Sequence, residues 1–302
     1  MSTNSSGLSN EMQKVQSAWS DPTIAQRYAN SEAATRPFAR LLIEKSDLPT
    51  RSEPASVFDL ATGTGAAVQE LYDAVPKEQW GEVKVLGGDV SESMLAYLKA
   101  RAEDNGWTGL STKTIDGNKL DGMLEEQERF THILCSFAIF VLPNALPNLQ
   151  SLLAPKGFIG ITTWSYLPWH AVLSDSIAKM SSSHTPPPYN PSASELESKM
   201  FSGRPWGDAS YVAAQLKDAG FQRVQTEFKR EKAKVGSPKL FMETMQFPLM
   251  LVKMYWPEEK REEYLEELNG VMLGEVVRLA GGEEGSVEME FKGVCGWGWK
   301  GE

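Results

Sequence analysis

Asp59, Asp89 and Asp116 each stand where an apolar run of the chain gives way to glycine. Asp59 precedes Gly63-Thr64-Gly65, Asp89 follows Gly87-Gly88, and Asp116 precedes Gly117. A carboxylate at the end of a buried strand can accept bonds from both hydroxyls of a ribose. Two glycines in the first turn let the backbone bend tightly and bring a ligand against the next helix N-terminus, with no Cβ in the way. An ordinary strand-to-helix turn carries the same glycines, so the turn alone decides nothing. Asp89 lies 24 residues beyond Gly65, the spacing expected for a carboxylate on the second strand of a nucleoside-binding unit. The turn has no lysine to meet phosphates, and Val68 stands where a dinucleotide fingerprint has Gly or Ala. No Tyr-x-x-x-Lys pair occurs in the chain. These residues therefore suit a ligand with a ribose, an adenine and a cation better than one with phosphates.

Each of them needs an element to carry it. Val57, Phe58 and Leu60 form an apolar run of the kind a buried parallel strand shows, after which Val68, Leu71, Tyr72 and Val75 recur at helical spacing. Val83 to Leu86 predicts a second strand, followed by Ser91 as the cap of a helix that turns Met94, Leu95 and Leu98 inwards. Leu110 to Ile115 predicts a third. His132 to Val141 predicts a fourth in its first half, with Ser136-Phe137 near the carboxyl end. Leu146, Leu149, Leu152 and Leu153 predict a helix closed by Pro155-Lys156-Gly157, and Phe158 to Thr163 predicts a fifth buried strand. Strands alternating with helices in this way mean an α/β chain with a doubly wound, mostly parallel sheet.

Upstream, helices are predicted over Val15–Asn30, interrupted at Asp21-Pro22, and over Glu32–Lys45. Beyond the fifth strand, residues 165–209 loosen into an irregular, aromatic-rich insertion. A helix through Val212, Leu216 and Ala219, a strand from Phe221, a long amphipathic helix after Pro257 and a strand over Val287–Trp297 follow. The expected organisation is one domain over 1–302, with a disordered tail at 1–14, N-terminal helices at 15–46 over the ligand, and substrate-cap insertions at 165–209 and 240–282.

Composition narrows the partners. A hydrophobic content of 41% is ample for a core, and a net charge of −10 argues against a nucleic-acid surface. The basic run Lys229-Arg230-Glu231-Lys232-Ala233-Lys234 reads as a solvated strand face. Two cysteines far apart make no disulfide framework, and Cys135, in an apolar run, reads as a small core residue. No Cys/His constellation has metal-ligand spacing. The N-terminus is polar, without an apolar signal region, and no stretch reaches membrane-spanning length, so a cytoplasmic protein with no membrane span is expected.

Taken in order, DLATGTG at 59–65, GDVSESML at 88–95, TIDGNKL at 114–120 and LLAPKGFIGITTW at 152–164 resemble the class I S-adenosylmethionine-dependent methyltransferases. Through DVSESML, NGW at 105–107 and TTW at 162–164 the chain is similar to fungal small-molecule enzymes, including the gliotoxin-type thiol methyltransferases. The resemblance covers roughly residues 15–300. It implies a seven-stranded Rossmann-like sheet with an antiparallel last strand, and S-adenosylmethionine as cofactor. By that resemblance Ala61, Gly63 and Gly65 line the methionine part, with Asp59 beside the turn. Asp89 grips the ribose, Val90 and Met94 flank the adenine, and Asp116 bonds its amino group beside Gly117. Ser136 and Phe137 close the crevice near the sulfonium, and Tyr28 closes over the cofactor. Helix or turn capping is the alternative for the aspartates, and packing for Met94 and Tyr28. Relatives often open the fourth strand with Phe-Asp, whereas here Thr131-His132 follows Phe130.

The implied reaction is an in-line displacement at a sulfonium methyl, which asks for alignment and a dry site rather than a metal. A base is needed only when the acceptor still carries its proton. A thiol ionises near pKa 8.5 and a phenol near about 10, so a phenol gains more from one. His170, beside Trp169 just beyond the fifth strand, is the candidate base. Trp164, Trp169 and Trp206 are expected to wall a flat, apolar acceptor pocket, a buried core being the alternative. The expected activity is methyl transfer to a small metabolite in secondary metabolism, with sulfur or oxygen as acceptor atom. An N-methyltransferase, a dinucleotide reductase and a cofactor-binding regulatory protein of the same fold stay open.

Overall fold

A computed structural model of the chain describes residues 24–120, 129–180 and 184–302. The tail at 1–14 and the Asp21-Pro22 break lie outside those residues. The apolar runs become strands β1 (Ala55–Leu60), β2 (Val83–Asp89), β3 (Leu110–Thr114), β4 (Phe130–Ser136), β5 (Leu153–Trp164), β6 (Gln222–Lys234) and β7 (Glu288–Trp299). They form one seven-stranded sheet in the order β3-β2-β1-β4-β5-β7-β6. β1 to β5 pair in parallel, and β7 inserts antiparallel between β5 and β6. The order reverses between β1 and β4, where Asp59 lies opposite Leu134. At such a switch point the two connecting loops part and leave a crevice at the carboxyl ends.

The helices are α1 (Ile24–Ser31), α2 (Arg36–Lys45), α3 (Ala66–Ala74), α4 (Glu92–Asn105), α5 (Ala145–Leu152), α6 (His170–Met180), α7 (Ala193–Met200), α8 (Ala209–Asp218), α9 (Pro238–Thr244), α10 (Gln246–Lys253) and α11 (Arg261–Ala280). α2 and α8 cover opposite faces of β7, and glycines let them come close. A Cβ at Gly293 would lie 3.0 Å from Phe38 of α2, and one at Gly296 would lie 2.7 Å from Val212 of α8. Phe38, Leu42 and Ile43 on one side and Val212 and Leu216 on the other are fully buried. β6 is an edge strand whose Lys229–Lys234 run alternates in exposure, as a solvated strand face requires. Cys135 and Cys295 are both buried as free thiols, and burial pushes the Cys295 thiol up to about 12.

Several expected boundaries move. The helix expected over Glu32–Lys45 splits into a 3-10 turn (Glu32–Ala34) and α2, with Pro37 in the first turn of α2. Proline has no N–H to give to the preceding turn, so the helix restarts there. The Pro155-Lys156-Gly157 stop does not separate helix from strand. Lys156 adopts φ 62° inside β5, which runs from Leu153 to Trp164. The insertion at 165–209 is helical in part rather than irregular. Val172, Leu173, Ser176, Ile177 and Met180 make the buried stripe of α6, and Ser192 with Glu195 forms a capping box that starts α7. Thr131 Oγ1 at the opening of β4 accepts the Ser56 N–H and lies 3.0 Å from the Ser56 carbonyl, pinning β4 to β1. His132 is buried with Nε2 2.6 Å from Asp47 Oδ1. Burial draws the His132 pKa down against the pull of Asp47, and that bond holds Asp47 at about 2.

Candidate active site

The chain turns sharply where β1 ends. Ala61 (φ 56°), Gly63 (φ 54°) and Gly65 (φ 90°) all take left-handed backbone. The turn is tied to β2, since Thr62 donates its N–H to the Gly88 carbonyl at 3.0 Å and Gly63 donates its own to Asp89 Oδ2 at 2.8 Å. Asp89 Oδ1 accepts the Ser91 N–H at 2.9 Å. The two Asp89 oxygens thus face different backbone donors, Oδ2 toward Gly63 and Oδ1 toward Ser91. The two glycines play different parts. A Cβ on Gly63 would meet nothing within 4 Å, whereas one on Gly65 would lie 2.4 Å from Leu98 Cδ1. Among the described residues Gly63 faces open space, and Gly65 seats α4.

Asp59 is buried and accepts the Thr62 hydroxyl at 2.6 Å. Burial pushes its pKa up to about 7, the Thr62 bond pulling it back and the Asp89 charge adding to the rise. Burial also raises Asp89, against the backbone N–H groups of Ser91, Gly63 and Val90. Two carboxylates therefore share one crevice and feel each other's charge. Tyr28 on α1 belongs to the same place: loss of water and then the Asp89 carboxylate raise its phenol, although 40% of the residue stays exposed. Val90 stands on the rim, 58% exposed, while Met94 is buried. Asp116 Oδ1 accepts the Asn118 N–H at 3.0 Å, so one of its oxygens closes a turn. At Gly117 a Cβ would come 2.9 Å from Leu142, so that backbone is pressed close to the loop after β4.

The end of β4 completes the crevice. Ser136 Oγ is buried with no partner among the described residues. Phe137 is held at φ 55° by its N–H, which reaches both the carbonyl and Oγ1 of Thr162 at 3.1 and 3.0 Å. A non-glycine residue held so is strained, a state that collects at ligand sites. Its ring stacks on Trp164 with centroids 3.8 Å apart, and Phe38 meets it edge-on at 5.2 Å. The residue expected beside the sulfonium and the one expected beside the acceptor form a single aromatic wall.

Residues 57–157 match the family described as a methyltransferase domain. Fungal relatives align over most of the chain. Methyltransferase tpcH of Aspergillus fumigatus is 25% identical over 255 residues, covering 83% of this chain and 87% of its own. The acetylaranotin bis-thiomethyltransferase of Aspergillus terreus is 24% identical, covering 83% and 85%. Methyltransferase afvD of Aspergillus flavus is 27% identical over 285 residues, covering 93% of each. The chain carries a methyltransferase domain. Its α/β fold is shared with YjhP from E. coli, at a TM-score of 0.50 and 15% identity over 92% of this chain and 99% of that one.

The residues expected on the acceptor side fall in different places. His170 opens α6 with Nε2 3.0 Å from the Pro191 carbonyl. A carbonyl only accepts, so Nε2 carries the hydrogen and Nδ1 is the nitrogen left to take a proton. Burial raises the pKa of Glu197 on α7, and His170 is near enough to pull it back in part. Trp169 is half-buried against the core. Trp206 does not wall an open pocket: it is 2% exposed, edge-on to Tyr211, with its carbonyl accepting the Thr163 hydroxyl at 2.6 Å. The sequence around it gave no sign that the segment folds back beneath β5. Glu32 was not anticipated either. Its carboxylate is buried against Thr64 and Arg101, 32 and 69 residues further along the chain, a separation that no local pattern encodes. Among the described residues no helix is long and apolar enough to cross a membrane.

Proposed function

We propose that the chain moves a methyl group from S-adenosylmethionine to a small, partly aromatic metabolite, with sulfur favoured over oxygen as the acceptor atom. The observation that carries the reading is the pair Asp59 and Asp89 beside a glycine turn with no basic residue in it. Two carboxylates in a partly dry crevice favour a ligand that brings positive charge and disfavour one that brings phosphates. The residues fit S-adenosylmethionine in other ways. Among the described residues Gly63 opens on empty space, and Ser136 has a buried hydroxyl without a partner. Asp89 would hold the ribose, Asp59 and the Gly63–Gly65 backbone the methionine end, and Val90 and Asp116 the adenine. Bound there, S-adenosylmethionine supplies an electrophilic methyl on a sulfonium.

The chain's own work is then alignment and exclusion of water. Tyr28 covers the crevice from α1, and the Phe137–Trp164 stack forms a flat apolar wall against which an aromatic acceptor can lie. With Nε2 of His170 engaged by a backbone carbonyl, only Nδ1 can receive an acceptor's proton. A thiol that sheds its own proton makes little demand on such a group. A relative that bears the name bis-thiomethyltransferase supports the same preference.

Calorimetric titration with S-adenosylhomocysteine, followed by transfer of a labelled methyl to a metabolite extract, tests the reading. Asp89→Ala in a folded protein should weaken binding by about 2–4 kcal/mol, the worth of charge-assisted bonds to two hydroxyls. Parent-like affinity in that variant would sink the cofactor assignment. Binding without any labelled product would favour a regulatory protein of this fold.

A further inference from the structure

Glu32 lies at the junction of α1 and α2, one helical turn beyond Tyr28, and is 8% exposed. Its Oε1 accepts the Thr64 hydroxyl at 2.6 Å, and Arg101 Nη1 reaches Oε1 and Oε2 at 2.8 and 2.9 Å. Arg101 also donates to the Thr64 carbonyl at 3.1 Å and to Gln69 Oε1 at 3.2 Å. Its guanidinium sits 5.8 Å from the Trp107 ring, which is itself stacked on Tyr72 at 4.9 Å. Arg101 is thus a fixed post on α4. Thr64 is the middle residue of the glycine turn, and both its hydroxyl and its carbonyl are taken by this pair. On the other side of the same turn Gly63 gives its N–H to Asp89. The turn is set from two directions, and one of the two is an N-terminal residue.

A carboxylate so placed does more than fasten a helix. Glu32 follows the last residue of α1 directly, four residues beyond Tyr28, so its docking fixes the end of the helix that carries Tyr28 beside Asp89. We propose that Glu32, with Arg101 as its anchor, is a positioning residue that couples the seating of α1 to the shape of the glycine turn. The S-adenosylmethionine site is then assembled as one unit. A loosened α1 would loosen Thr64, and with it the Gly63 face toward the ligand; a misshapen turn would release α1. The proposal rests on the cofactor reading given above.

Glu32→Gln keeps the size of the side chain and removes the charge that Arg101 answers. Amide hydrogen exchange in the free protein should then rise in residues 24–34 and 61–66 together, and S-adenosylhomocysteine should bind about tenfold more weakly by calorimetry. Thr64→Val should reproduce both effects, Thr64→Ser should restore the parent's values, and Glu32→Gln/Thr64→Val should be little worse than either change alone. Should Glu32→Gln fail to fold, Thr64→Val against Thr64→Ser decides the matter. A lower Tm with affinity within twofold of the parent would overturn the proposal, as would exchange rising at 24–34 alone. A parent that binds no S-adenosylhomocysteine would refute the cofactor reading instead, and the paired exchange in the free protein would still decide the coupling.

Discussion

The two glycines of the turn invite a comparison in which one alanine harms the ligand and the other harms the fold. Both sit in left-handed backbone, at φ 54° and 90°, where a Cβ costs about 1–2 kcal/mol. Gly63→Ala should lose little beyond that, because the added carbon meets nothing within 4 Å. Gly65→Ala adds an overlap, since its Cβ would lie 2.4 Å from Leu98 Cδ1 on a fully buried side chain. Overpacking of this kind costs a further 1–3 kcal/mol or so, for a total of roughly 2–5 kcal/mol. Urea denaturation should rank the two in that order. Titration with S-adenosylhomocysteine should rank them the other way once each is folded, with Gly63→Ala weakened by about 1–3 kcal/mol because its methyl enters the space the ligand needs. Parent-like binding by Gly63→Ala would show that the open side of the turn is not where the ligand lies. Equal stability of the two variants would show that Leu98 rotates away and that Gly65 is not needed to seat α4.

Asp59 gives a pH signature in the free protein. The folded chain holds its proton up to about 7 while the unfolded chain releases it near 3.8. Its contribution to stability is complete below the lower value and is lost as pH rises through the higher one. Asp59→Asn keeps an acceptor for Thr62 and should gain on the parent steadily from about pH 4 to 7 in urea unfolding; parallel curves would show that Asp59 is ionised in the fold. His170→Ala should cut methyl transfer to a thiol by less than about tenfold, with the rate following the thiol's own ionisation, against the 10²–10⁴ or so that a required base supplies. Loss of that larger size, in an enzyme that accepts phenols and not thiols, would move the acceptor assignment to oxygen.

What could be read from the sequence was whatever is written in short-range pattern. Apolar runs such as Val57–Leu60 and Ile133–Cys135 announced their strands, and the glycines and aspartates at their ends marked the crevice. Ser91 does cap its helix, through the Met94 N–H. α6 was masked by the proline and tryptophan that precede it and by its serines, one of which is buried and donates to the Val172 carbonyl. Its stripe of Val172, Leu173, Ile177 and Met180 was nonetheless legible, and so was the Ser192–Glu195 box. Contacts between distant residues were not. Nothing local tells that Trp206 folds under β5, or that buried Glu70 answers both Arg36 and Arg40. Those pairings exist only once the helices have been laid on the sheet.

The position of β7 has a consequence for how the chain is made. β6 touches the sheet only through β7, and β7 follows it in sequence after α9, α10 and α11. During synthesis the first five strands can therefore assemble while β6 waits with both edges bare. A long strand in that state is a template for pairing with a neighbouring nascent chain. β6 carries charge on both of its faces, Lys229-Arg230-Glu231-Lys232 among its residues, and charge on an unpaired strand opposes such pairing. Replacing those charges with valine or threonine would leave the finished enzyme's interior untouched, yet send newly made chains to aggregates before β7 arrives.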